Sequence, residues 1–66
     1  MKIIDELIEI LTEKQKMYME LSLKKLDEGN QEGSSYNEGI AIGIVKAIDD
    51  IKYANEQLIK RLNELI

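Results

Sequence analysis

The sequence predicts an all-α fold: an antiparallel helical hairpin that dimerises into a four-helix bundle. Three observations carry this expectation. The chain is rich in Leu, Ile, Glu and Lys and has no proline, a helical composition. One polar, glycine-rich stretch, GNQEGSS from Gly29 to Ser35, separates two apolar-periodic segments. The apolar stripes on both segments are wider than one neighbouring helix can cover.

The first helix is expected over about residues 2–28. Ile3, Ile4, Leu7, Ile8 and Leu11 recur at helical spacing, and Asp5 and Glu6 occupy the first turn, where the helix dipole favours acid. Ile10 widens the stripe. The pattern resumes after a polar middle with Met17, Tyr18, Leu21 and Leu26, and Gly29 is placed to end the helix as its C′ residue. Met17, Tyr18 and Met19 read as core and core edge.

The loop is expected at about 29–35 and the second helix at about 36–65. Ser35 and Glu38 match a capping box. Ile44, Ile48 or Ala47, Ile51, Ala54, Leu58, Leu62 and Leu65 then form a seam of nearly heptad spacing. Folding about the loop places Leu21 near Ile44, Tyr18 near Ala47 or Ile48, Leu11 near Ala54, Leu7 near Leu58, and Ile3 and Ile4 near Leu62.

The densest apolar run is NEGIAIGIVKAI, from Asn37 to Ile48. Within it Gly39, Gly43 and Ala47 recur every four residues and make a smooth strip on a helix. A helical glycine costs about 1 kcal/mol relative to alanine, so the strip points to a close helix crossing, within the hairpin or between chains. Ile40, Ala41, Ile42, Ile44, Val45 and Ile48 surround it almost completely. The expected self-association surface is Gly39, Ile40, Gly43, Ile44, Ala47, Ile48 and Ile51. A domain of 66 residues is marginal alone and depends on disulfides, a metal or oligomerisation. With no cysteine and no histidine, a disulfide and the usual zinc sites are excluded, and a second copy is the expected support.

Composition narrows function. The net charge of −4, with both signs interspersed, argues against nucleic-acid binding, which needs a basic face. No apolar run approaches the roughly 18–20 residues of a membrane span. Asp5, Glu6 and Glu9 interrupt any signal-peptide core, and the lack of cysteine fits a reducing cytoplasm. Ser22, Ser34 and Ser35 have no histidine to activate them. The pairs Asp5/Glu9, Glu9/Glu13 and Asp49/Asp50 are interleaved with lysines and read as solvated faces rather than a metal or acid–base site. EGSS and NEGIAIG lack the phosphate-loop pattern, and DEGNQEG has the wrong spacing for a calcium loop. No catalytic residue, cofactor or metal is therefore expected. Tyr36, beside the loop, and Tyr53, on a charged face, are the candidate anchors for a protein partner.

The stretch SYNEGIAIGIVKAIDDI resembles a pattern found in small helical proteins of tailed phages and prophages. There a Tyr-Asn-Glu-Gly opening is followed by small residues and Ala-Ile at helical spacing. The resemblance implies a small cytoplasmic protein that acts by binding, often against a host protein or its signalling molecule. The expected function is a non-enzymatic homo-oligomer that acts stoichiometrically on another protein as inhibitor, adaptor or regulator. The rival expectations are an oligomer that sequesters a small ligand or nucleotide, and a structural module whose only partner is itself.

Overall fold

The computed structural model describes residues 2–65 and contains two helices, α1 (Lys2–Asp27) and α2 (Gln31–Leu65), which pack against each other as a hairpin. The hairpin is a flat rod of 57 × 17 × 8 Å between Cα extremes. The 35 residues of α2 set its length, at about 1.5 Å per residue.

The connection is shorter than the sequence suggests. Gly29 adopts φ 79°, the left-handed conformation that glycine takes without strain. Its N–H donates to the Leu26 carbonyl at 3.0 Å, and the N–H of Asn30 donates to the Lys25 carbonyl at 2.8 Å. This pair of bonds is a Schellman motif and closes α1, with Gly29 as C′. Asn30 then caps α2. Its side-chain Oδ1 accepts from the Gly33 N–H at 2.8 Å, and its carbonyl accepts the first helical bond, from the Ser34 N–H, at 3.0 Å. One residue ends one helix and the next begins the other.

This corrects the expected loop at 29–35 and the capping box at Ser35. Gln31–Ser35 are helical, because Asn30 supplies the cap five residues earlier and leaves Ser35 inside the helix. Asn37, within the expected start of the helix, instead donates from Nδ2 to the Gly33 carbonyl at 2.7 Å.

A shorter link shifts the register. Near the loop, Ser22 and Ser34 are buried together: the Ser22 hydroxyl lies 2.9 Å from the Ser34 carbonyl oxygen and 3.0 Å from the Ser34 hydroxyl. Counting outward by heptads places Gln15 level with Ala41 and Ile8 level with Ile48. Less-exposed positions follow this heptad. In α1 they include Ile4, Ile8, Leu11, Gln15, Tyr18, Ser22 and Lys25; in α2 they include Ser34, Asn37, Ala41, Ile44, Ile48, Ile51 and Asn55. None of the expected pairings is therefore formed: Leu21 stands level with Ser35 rather than Ile44, Tyr18 with Glu38 rather than Ala47 or Ile48, and Leu11, Leu7, Ile3 and Ile4 are likewise displaced from Ala54, Leu58 and Leu62. Leu11 stands level with the interval between Ile44 and Ile48, and Lys2 stands level with Ala54. Residues 55–65 of α2 project about 16 Å beyond the first residue of α1.

The two-helix core is slight. Among the described residues the buried apolar side chains are Ala41 and Ile48, accompanied by Ser22 and Ser34. Two helices in contact along one line hide one stripe each, and small residues on that line let the backbones approach. Thr12, half-buried on α1, satisfies its hydroxyl locally by donating to the Ile8 carbonyl at 2.7 Å.

Candidate self-association surface

The residues expected to mediate self-association divide between two faces. Ile44, Ile48 and Ile51 lie on the inner face of α2, toward α1, where Ile48 is buried and the other two are half-buried. Gly39, Gly43 and Ala47 are exposed. A Cβ built on Gly39 or Gly43 meets no atom within 4 Å. The glycine strip is therefore not the close crossing of the hairpin. Ser22 and Ser34 make that crossing instead.

Gly43 and Ala47 belong to a second face, turned about one hundred degrees from the first, one residue's rotation on a helix. On α1 this lateral face carries Ile3, Leu7, Ile10, Lys14, Met17, Leu21 and Lys24, one position before each inner residue. On α2 it carries Gly33, Tyr36, Ile40, Gly43, Ala47, Asp50 and Ala54, so the apolar surface is interrupted by Lys14 and Asp50 and bounded by Lys24. In an antiparallel pair the two helices are read in opposite senses, so equivalent flanking positions of both fall on the same side. The lateral faces of α1 and α2 thus merge into one broad surface. It is uneven: on α1 Ile3, Leu7, Ile10 and Met17 stand exposed by 73, 40, 53 and 46%, whereas the middle of the same side on α2 is low at Gly43 and Ala47, between Ile40 and Asp50.

The opposite side of the hairpin carries a smaller apolar patch toward the loop, with Met19, Leu23 and Leu26 from α1 and Ile42 and Val45 from α2, all exposed. Charged residues, among them Lys16, Glu20, Glu38 and Asp49, are interspersed there. Lys25 and Glu28 form an exposed ion pair at 3.7 Å near the link, of the kind that contributes little.

Tyr36 and Tyr53 are both exposed, but seventeen residues of one helix put them about 25 Å apart. They cannot act as one anchor. Tyr36 sits at the loop end of the lateral face. Tyr53 adjoins a shallow groove of about 390 Å³ lined by Tyr53, Ala54, Gln57, Leu58 and Arg61. All five residues come from α2, at the level of the first residues of α1 and beyond them, so the groove is one side of a single helix and cannot surround a small molecule by itself.

Among the described residues no three His, Cys, Asp or Glu side chains come together to hold a metal ion, and no helix is long and apolar enough to cross a membrane. The hydroxyls of Ser22 and Ser34 are hydrogen-bonded to each other, and that of Ser22 also to the Ser34 carbonyl, so both buried side chains are satisfied where the helices pack. No protein-family model matches the chain, and no curated protein or solved structure matches it.

Proposed function

We propose that this chain is a non-enzymatic binding protein that associates with itself and acts stoichiometrically on a second protein, as inhibitor, adaptor or regulator. One observation carries the reading. Among the described residues fifteen large apolar side chains are exposed while two apolar residues are buried. Each large side chain left in water forgoes about 1.5–3 kcal/mol, against a total stability of only a few kcal/mol for so small a domain. Apolar surface on this scale marks contact with other proteins.

The two sides of the hairpin suit two tasks. The lateral face runs along both helices, interrupted by Lys14 and Asp50, and suits a second copy. The patch of Met19, Leu23, Leu26, Ile42 and Val45 is set among charged residues, the arrangement of an apolar centre with a polar rim that transient interfaces use. A phage origin, suggested by the SYNEGIAIG stretch, would make a host protein the second partner and the cytoplasm the place of action.

The test is co-purification from the cells in which the protein acts. A partner recovered in a fixed molar ratio, and lost on Leu23→Asp or Val45→Asp while the oligomer persists, supports the reading. Recovery of the oligomer alone, unchanged by these substitutions, contradicts the action on a second protein.

A further inference from the structure

The lateral face has a shape as well as an area, and the shape selects one arrangement of two copies. We infer that a second copy covers this face about a two-fold axis parallel to the helices. Each α1 then lies against α2 of the other copy, both loops lie at one end, and the two C-terminal segments, residues 55–65, run side by side at the other. The inference rests on the self-association proposed above and specifies its geometry.

Two two-fold axes can bring this face onto itself. An axis across the helices stacks α1 on α1 and α2 on α2. That sets Ile10 and Met17 against the same large side chains and leaves Gly43 and Ala47 facing glycine and alanine. Protein interiors are close-packed, so this pairing is overfilled on one side and void on the other. An axis along the helices sets the α1 ridge into the α2 trough, twice. It also leaves every residue at its own height, so the Ser22–Ser34 register carries over between copies. Ile10 of one copy then stands at the level of Lys46 of the other, between Gly43 and Ala47. Met17 stands at the level of Gly39, between Tyr36 and Ile40.

The area is sufficient. The hairpin is 57 × 17 Å; over the roughly 40 Å where both helices run the face offers roughly 700 Å² per copy, or about 1,400 Å² in all when covered, within the range of stable dimers.

The projecting end of α2 agrees independently. Leu58, Leu62 and Leu65 continue the inner heptad of Ile51 and Asn55; with no α1 to coil around, a heptad drifts about 20° per seven residues, here from the inner toward the lateral face. In the bundle this turns them away from the line of their own α1 and toward α2 of the second copy. Where both α1 helices have ended, these leucines, exposed by 56, 54 and 83%, meet their equivalents. Charge does not oppose the contact: Glu56, Lys60, Arg61 and Glu64 cancel within the segment, so the net −4 of the chain lies elsewhere.

The chain has no cysteine, so single-cysteine variants report contacts without background. Under mild oxidation Leu62→Cys is expected to convert most of the protein to a covalent dimer, with Leu65→Cys as a second reporter at the exposed end. A mixture of Ile10→Cys and Ala47→Cys chains is expected to link only as the heterodimer. Light scattering on the same unoxidised samples separates the two levels of failure. A dimer that links Ile10 to Ile10, or links at none of these positions, overturns the arrangement and leaves self-association standing. A monomer in light scattering overturns both.

Discussion

The Ser22 hydroxyl of α1 lies 2.9 Å from the carbonyl oxygen of Ser34 in α2, a contact that brings a side chain of one helix onto the backbone of the other. Both residues are at least nine-tenths buried, so this contact fixes the register from which the position of every other side chain follows. Ser22→Ala removes the two buried hydrogen bonds to the Ser34 carbonyl and hydroxyl and is expected to destabilise the hairpin by about 1–2 kcal/mol. Ser22→Leu forces the helices apart and is expected to cost about 1–3 kcal/mol. Urea unfolding followed by circular dichroism measures both. A stable Ser22→Leu hairpin would contradict the tight crossing.

The link makes separable predictions. Asn30→Ala removes the cap of α2 and should cost about 1 kcal/mol, and Gly29→Ala, at φ 79°, should cost about 1–2 kcal/mol. Ser35→Ala should lie within about 0.5 kcal/mol of the parent, because Ser35 is exposed inside the helix. Thermal unfolding of the three variants ranks them. A large loss at Ser35 with none at Asn30 would restore the later helix start.

Three glycines of α2 should respond differently to alanine. At Gly33 the new Cβ would stand 2.7 Å from Asn30 Nδ2, so the helical gain of about 1 kcal/mol is set against displacement of the capping side chain, and no net stabilisation is expected. At Gly39 and Gly43 the Cβ enters open space, and the helix itself should gain up to about 1 kcal/mol. Helix content and unfolding midpoint at low protein concentration, where association is weakest, read the intrinsic effect.

Gly43→Leu tests what the open space is for. It fills the trough without touching α1, so helix content should persist while association weakens by steric overlap. Sedimentation velocity across a concentration series reads this. Unchanged association would remove Gly43 from the interface.

Much of the fold was legible in the sequence. Two helices follow from the apolar periodicity, and Gly29 marks the end of the first, because a glycine after Lys24, Lys25 and Leu26 has few other roles. The start of α2 was misread because Asn30, Gly33 and Ser34 are residues that also build loops. Here Asn30 is a cap, and Ser34 is small so that Ser22 can reach its backbone. The heptad Ser34, Ala41, Ile48 was the available signal, matched by Ile8, Gln15 and Ser22, but its members are mostly small or polar and an apolar count passes over them. The error of a few residues at the loop became a shift of the whole register, since the helices are rigid rods. The same shift turned the glycine strip outward and left Leu58 and Leu62 without the α1 partners expected for them. The breadth of the apolar surface, by contrast, was apparent from the sequence alone, because it depends on composition around each helix and not on register.

Light scattering of the purified chain at tens of micromolar tests the central claim most directly. If the exposed ridge and trough are an interface, the mass is twice that of one chain and falls toward a single chain when Ile10 and Leu7 are replaced by aspartate. A mass of one chain for the parent, with cooperative unfolding and full helix content, would show that the hairpin sustains its exposed apolar surface alone, and would contradict the account.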